Sequence, residues 1–586
     1  MSIANWSDEQ LNALRQRADP LADALVAKLY EQPAGGGAGF GRLGYNHFLN
    51  LTDTMQEAPE LVFTNGSELH RQLQAMPEEF VDYFDPLELP AWVDPAKLEM
   101  ASRMWLQNSL GMLVTLFLGS LPACYLMARG IPALYQTDKL ANRRYISQRI
   151  YETGLMLDAV MEEGGFKILT DVGATQNEAM QAALNQLDPS GGWVTEGRGF
   201  QRKGGAPPEK IGATALTGKL AELQAKSRPK QFLWGAGYIT VKKVRFLHAS
   251  MRYMLKHQAR FKPPGPPVPP ANLAQVFAQR TEAWDTQSLG LPVNQEDLAY
   301  TLLTFGYVIP TGLEQWGWKF SAEQKHAFLH LWRLVGHVLG VEDELMTDDW
   351  DEAGRIFRRI QQHQAATSTD GIELTSTVME FIQDYLPHWF GLNKVLPPLA
   401  VRDLIGPEAE KLFTRPVLRD VKRPSHRALW WGFRCVLRCY GWIRRHLMDA
   451  FPGAAGLFAN LLYRTSEGLI ESCRGAYARQ PFYVPATETT WVPQYGASPN
   501  FMRKLRRWRL RVFNWVFISI AMLITGALGV GAAVVLWWFN HELGWIAALV
   551  SGVAFCLSYM SMNRTLPRVF AERPTIEDLP PIENPD

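Results

Sequence analysis

The stretch VKKVRFLHASMRYMLKH, Val241 to His257, reads as a helix with one histidine on its seam. At about 100° per residue, Val244, Met251 and Leu255 lie within ~60° of His248 on one side. Arg245, Arg252 and Lys256 lie within ~80° on the other. An imidazole between an apolar stripe and a basic one suits a haem. The nitrogen binds iron, the apolar side chains cover the porphyrin face, and Arg245 or Arg252 meets a propionate. A helical histidine hydrogen-bonded at a core boundary produces the same pattern, so the spacing leaves both readings open.

Two further helices carry polar residues in unexpected places. In RRYISQRIYETGLMLDAVMEE, Arg143 to Glu163, the residues Arg149, Glu152 and Thr153 share a face with Tyr145, Met156 and Val160. A charge on an apolar stripe is costly unless paired, which makes it a site candidate. An ordinary ion pair at i, i+3 accounts for Arg149 and Glu152 equally well. In HAFLHLWRLVGH, His326, His330 and His337 fall within ~40° on one helix face. His326 and His330 have the spacing of a helical metal site, but no HExxH carboxylate accompanies them. Solvated histidines are the expectation there, with close packing at Trp332, Gly336 and Gly340.

The elements that must position these residues are helical nearly throughout, and period-two alternation is scarce. The chain has 586 residues, 47% hydrophobic and 20% charged, so it folds and exceeds one small core. Its formal net charge of +1 gives no reason to expect a nucleic-acid partner. The five cysteines include no CxxC pair; Cys435 and Cys439 stand one helical turn apart. Reduced thiols and no structural zinc follow. The N-terminus has neither a basic region nor an apolar one, so no secretory signal is expected. The glycine-rich QPAGGGAGFGRLGY, residues 32–45, does not join a strand to a helix, which argues against a dinucleotide site. Residues 164–238 read as a long insertion, and KPPGPPVPP at 262–270 as a stiff linker.

Near the C-terminal end, Phe513 to Phe539 is 27 residues without a charge, and Trp545 to Met562 is a second such run of 18. Both suit a transmembrane helix, with tryptophans near the run ends. Arg503, Lys504, Arg506, Arg507, Arg509 and Arg511 precede the first, and Arg564, Arg568 and Arg573 follow the second. The positive-inside rule then puts both flanks, and the large preceding domain, in the cytoplasm. Met104 to Ala128 is also long enough to span, but its polar residues favour a buried helix. Residues 425–447 interleave Trp430, Trp431 and Trp442 with Arg434, Arg438, Arg444 and Arg445. That suits either an interfacial helix on an anionic leaflet or a packed helix with snorkelling arginines.

The first two helices together resemble a known family. Arg149-Ile-Tyr-Glu-Thr153 followed by Val244-Arg245-Phe-Leu-His248-Ala249-Ser-Met-Arg252 is similar to the motifs of the latex-clearing (rubber) oxygenases and the MpaB-like oxygenases, which share a DUF2236-type domain. RADPLADALVA, LPAWVDPAKL, EDLAYTLLTFGYVIPTGLEQWG, WRLVGHVLGVEDELM and VRDLIGPEAEKLF extend the likeness over roughly residues 15–415. The resemblance implies a mostly α-helical, globin-like fold around haem b, with His248 as axial ligand of the iron. It implies dioxygen as co-substrate and cleavage of carbon–carbon double bonds in an apolar, often isoprenoid substrate. Arg149 and Thr153 would shape the distal pocket. The chain departs in three places: Glu152 stands where the rubber enzymes have lysine, the two motifs are further apart, and a membrane hairpin replaces an export signal. These favour the MpaB-like branch.

The expectation is therefore a mostly α protein. Residues 1–490 form a large globin-like helical haem domain, 491–512 a polybasic segment, 513–562 a two-helix transmembrane hairpin and 563–586 a cytoplasmic tail. The expected activity is a membrane-anchored haem b oxygenase acting on an apolar lipid or isoprenoid, with Glu152 available as a base. The expected partners are the bilayer, the substrate and a redox protein. The alternatives are a haem or gas sensor, an electron-transfer protein, and a membrane-tethered scaffold that has lost haem.

Overall fold

The computed structural model describes residues 3–31, 76–136, 143–171, 230–257, 284–385, 392–450 and 499–571. It adds short pieces at 44–46, 49, 52, 184, 186, 193–196, 199–202, 456, 459–460, 463–467 and 470. Most of the glycine-rich loop, the whole proline-rich linker and the end of the C-terminal tail lie outside these residues.

The helices in chain order begin with α1 (Asp8–Leu14), α2 (Pro20–Glu31), α3 (Glu78–Phe84), α4 (Pro95–Thr115), α5 (Leu121–Tyr125), α6 (Ile131–Gln136) and α7 (Arg143–Met161). Then come α8 (Ala236–Lys256), α9 (Thr286–Leu289), α10 (Gln295–Leu303), α11 (Ile309–Gln315), α12 (Ala322–Leu339), α13 (Trp350–Gln364) and α14 (Thr369–Tyr385). The last are α15 (Leu392–Ile405), α16 (Arg415–Lys422), α17 (Pro424–Ala450), α18 (Pro499–Phe539) and α19 (His541–Ala571). The chain is mostly α, as its periodicity predicts. Among the described residues, five short strands are β1 (Leu87–Glu88), β2 (Lys167–Asp171), β3 (Trp193–Glu196), β4 (Gly199–Arg202) and β5 (Lys230–Trp234).

The chain divides into two compact units. One comprises Met1–Asn50, Pro95–Glu163 and Thr240–Asp586; the other Leu51–Asp94 and Gly164–Ile239. In the smaller unit β1, β5 and β2 form an antiparallel sheet in that order, with Leu87 and Ile168 both in register with Leu233. β3 and β4 form a separate ribbon. Phe80, Phe84, Leu233, Trp234 and Tyr238 are buried there. The segment read as an insertion thus shares a unit with residues 51–94.

In the larger unit α4 packs along α12. α12 begins with a capping box, Ser321 with Gln324, and ends at Gly340 with φ 87°. That left-handed cap suits glycine because a Cβ there is strained. Two helices are broken in the same way. Leu116–Ser120, between α4 and α5, and Thr304–Val308, between α10 and α11, are π-helical. Pro122 and Pro310 follow. Each proline lacks an N–H and crowds the carbonyl four residues back, at Leu118 or Gly306. Both of those residues lie inside the widened turn. Such turns recur at functional sites.

The continuous helix Pro95–Tyr125 has the length and apolarity of a bilayer span, but 61% of its most apolar window is buried inside the protein. Met104, Trp105, Met112 and Leu113 are all core residues, so it serves as a core helix here. α18 and α19 pack against each other as a helical hairpin joined at Asn540. Trp508 Nε1, near its open end, donates to the Val569 carbonyl at 2.9 Å. Around its tip Trp538, Phe539 and Trp545 are exposed.

Candidate functional site

A cavity of about 240 Å³ lies within the larger unit. α8 lines it with Val241, Val244, Leu247, His248 and Met251, one face of a helix at i, i+3, i+7 spacing. α7 contributes Ile150, Glu152, Thr153 and Met156. α10 and the widened turn after it add Asp297, Leu298, Thr301, Leu302 and Phe305; α12 adds Trp332, Val335 and Leu339. Phe305 stacks on Trp332 with ring centroids 5.0 Å apart. A Cβ on Gly306 would stand 3.0 Å from Trp332 Cβ, so glycine allows that approach.

The structure brings His248, Glu152 and Thr153 to one cavity. His248 is half-buried with Nδ1 enclosed, and Glu152 is buried. Arg149 belongs to α7, but its side chain lies outside the described residues. Cys124 lines the cavity from α5, with Sγ 3.3 Å from Thr304 Oγ1. Burial pushes its thiol up to about 11, so it stays protonated at neutral pH.

Arg245 and Arg252 do not line the cavity. Arg245 Nε donates to Asp19 Oδ2 at 2.6 Å and its Nη2 to Asp19 Oδ1 at 2.8 Å. Asp19 stands directly before α2 with Pro20 next, a favourable helix start. Arg252 Nε donates to Asp23 Oδ1 at 2.8 Å and its Nη1 to the Val293 carbonyl at 2.9 Å. Val293 lines the cavity at φ 50°, a strained value for a β-branched residue, and Arg252 holds that turn. The expected propionate partners are therefore engaged by carboxylates of the protein itself. Their role in the structure is to fix α8, and His248 with it.

The histidine trio is also placed differently from the expectation. His330 is buried, not solvated, and its Nδ1 lies 3.2 Å from Asp348 Oδ2. His337 pairs with Asp343 at 2.9 Å. Among the described residues no three His, Cys, Asp or Glu side chains gather to hold a metal ion.

Behind the cavity is a buried charge network that the sequence reading missed. Arg15 Nη1 reaches Glu296 Oε2 at 3.1 Å and Asp297 Oδ1 at 2.8 Å. His363 Nδ1 meets Glu296 Oε1 at 2.6 Å, and Gln364 Nε2 donates to Glu296 Oε2 at 2.6 Å. Arg129 Nη2 lies 2.8 Å from His363 Nε2. Asp297 brings this network to the cavity wall. One signal was present in the sequence: Asp297, Thr301 and Phe305 recur at i, i+4, i+8 among apolar residues.

The catalytic-domain model of the family described as ER-bound oxygenase mpaB/B'/Rubber oxygenase matches residues 233–439. That span contains α8, α10 and α12 but does not reach α7. A rubber oxygenase of Streptomyces sp. (strain K30) is 25% identical over 189 residues, 32% of this chain and 40% of the relative. The chain thus spans about two fifths of the curated relative's length. A solved latex clearing protein, LCP in the closed state, aligns over 74% of this chain and 94% of its own, at 16% identity and a TM-score of 0.37. Over residues 233–439, the chain is similar to the catalytic domain of the MpaB/rubber-oxygenase family.

Proposed function

We propose that this chain is a haem b oxygenase that cleaves a carbon–carbon double bond of an apolar substrate with dioxygen. One observation carries the reading: a single imidazole, His248, on a cavity lined mainly by aliphatic and aromatic side chains. The donor set fits a haem. A macrocycle brings four nitrogens, so the protein need supply only an axial ligand and apolar walls.

Bound haem would supply dioxygen activation. The chain's own residues do the rest. His248 would hold the iron, with α8 fixed through Arg245 and Arg252 on Asp19 and Asp23. Val244, Leu247, Met251, Phe305 and Trp332 desolvate an alkene and exclude water. Thr153 offers a hydroxyl and Glu152 a carboxylate at the cavity wall, where Glu152 would accept a proton. Arg149 is proposed beside them from its place on α7. In the overall reaction the double bond breaks and two C=O bonds form. Both oxygen atoms enter product, so no external reductant or redox partner is consumed in turnover.

The membrane reading belongs to the same proposal. Two uncharged runs of 27 and 18 residues, basic flanks and exposed tryptophans at the tip support α18 and α19 as a membrane-spanning hairpin with the helices that precede it on the cytoplasmic side. The substrate would then be a lipid or isoprenoid drawn from the bilayer. The test is the absorption spectrum of detergent-purified protein, wild type beside His248→Ala. A Soret band that the substitution removes or shifts is expected. A colourless wild type after haem reconstitution would sink the oxygenase reading. A haem spectrum without oxygen uptake on any alkene would instead identify a haem sensor or carrier.

A further inference from the structure

We propose that α17 lies along the surface of an anionic bilayer, with its outward face in the acyl–headgroup boundary. The inference rests on the membrane reading of the α18–α19 hairpin. One face of α17 is committed to the protein. Trp430 is buried against Trp316, Leu399 and Val421, Gly441 packs on the backbone of Gly317, and Arg434 Nη1 donates to Asp403 at 2.9 Å. At about 100° per residue, Leu429, Trp431, Cys435, Val436, Cys439 and Trp442 fill an arc of roughly 160° on the opposite side. Between Ala428 and Leu447 no Lys, Arg, Asp or Glu falls in that arc.

This face is open: Trp431 is 72% exposed, Val436 61% and Trp442 58%. An outward surface with two tryptophans, one histidine and no Lys, Arg, Asp or Glu over this span is the reverse of a solvated helix face. The charges sit on its flank. Arg427, Arg438 and Arg445 fall in one row, about 60–80° from Trp430, where guanidinium groups beside a buried apolar face reach lipid headgroups. The row selects an anionic surface, and headgroup-level tryptophans are the usual interfacial residues. Position agrees with charge. α17 packs on α18, whose exposed Arg503, Lys504 and Arg507 would meet the same headgroups. A second copy of the chain would bring one arginine row against another.

The test uses the full-length protein in vesicles of phosphatidylcholine, with or without phosphatidylglycerol. Cys435, Cys473 and Cys556 are replaced by alanine, Cys124, half-buried in the cavity wall, is kept, and Cys439 carries an NBD fluorophore. A second protein also has Cys439→Ala and carries the fluorophore at Leu549→Cys on α19. With phosphatidylglycerol present, doxyl-lipid should quench the Cys439 label and iodide should not. Arg427→Gln with Arg438→Gln should abolish the lipid quenching at Cys439 and leave it at position 549. If iodide reaches Cys439 while lipid quenches position 549, the hairpin stands and the α17 proposal falls. If lipid quenches neither, both fall. Shielding of Cys439 that follows protein density rather than lipid charge would assign the face to a second copy and overturn the proposal.

Discussion

Arg245, three residues before His248 in sequence, forms a bidentate pair with Asp19 at 2.6 and 2.8 Å. Arg245 Nη1 also donates to the Val338 carbonyl at 3.2 Å, so one guanidinium joins α8 to the start of α2 and the end of α12. Asp19 is buried, and the side chain of Arg245 is 13% exposed. Removing one member leaves a poorly solvated charge, which costs about 3–5 kcal/mol. Asp19→Asn is expected to lower stability to denaturant by roughly that amount. Asp19→Asn with Arg245→Met should recover a large part of it. Equal losses in the single and double variants would show that the pair does not hold α8.

The network behind the cavity makes a second case. Arg15 faces both Glu296 and Asp297, and Glu296 is fully buried. Arg15→Met should destabilise by about 3–5 kcal/mol, because two carboxylates lose their cation. Adding Glu296→Gln and Asp297→Asn should relieve most of that. The measurement is a chemical denaturation series on the wild type, the single variant and the triple variant.

Glu152 is the polar cavity residue whose proposed role is proton transfer. A general base contributes typically about 10²–10⁴-fold to rate. Glu152→Gln should therefore slow oxygen uptake with an apolar polyene such as squalene by at least ~100-fold, while leaving the haem spectrum intact. Unchanged turnover would remove the role of base. Thr153→Val should act more weakly, since it deletes one hydroxyl and keeps the side-chain shape.

Gly306 tests the widened turn. A methyl there meets Trp332 Cβ at 3.0 Å and Cγ at 3.1 Å. Overpacking costs typically about 1–3 kcal/mol, so Gly306→Ala should destabilise within that range and displace the Trp332 ring from the cavity wall. Gly406→Ala has open space but φ 77°, so its cost should be backbone strain alone, about 1–2 kcal/mol. Thermal unfolding with tryptophan fluorescence separates the two, because only the first should change the native emission.

Cys124 gives the pH dependence. Burial favours the neutral thiol, so folding raises its pKa to about 11. At high pH the unfolded chain loses this proton first. The stabilisation is complete below the ordinary thiol pKa of about 8.5 and is lost as pH rises through about 11, with a slope approaching ~1.4 kcal/mol per unit. Cys124→Ala should flatten that alkaline slope. In native protein at neutral pH, Cys124 should resist iodoacetamide, because its thiol stays protonated, and should react once the chain is unfolded.

Much of the architecture was legible in the sequence because helix faces are a local property. A period of 3.6 puts Val244, His248 and Met251 on one side of α8 whatever surrounds it. The same logic placed Glu152 and Thr153 on one face of α7 and paired the two C-terminal apolar runs across a short turn. It failed where the answer depends on what approaches from a distance. Arg245 and Arg252 look like anion binders from their own helix, and they are; the anions are Asp19 and Asp23, more than two hundred residues earlier. His330 sits on a polar-looking stripe, yet Asp348 and the packing around α12 bury it.

By itself, then, the sequence determined the helices, the histidine seam, the pocket-facing carboxylate and hydroxyl, and the apolar hairpin, since each follows from side-chain type at a fixed spacing. Only the tertiary structure decided that α7, α8, α10 and α12 close on one cavity, and that residues 51–94 and 164–239 share a unit. It also decided that Asp297 ties the cavity wall to a buried network. Those relations depend on chain segments meeting in space, and local periodicity carries no information about which segments meet.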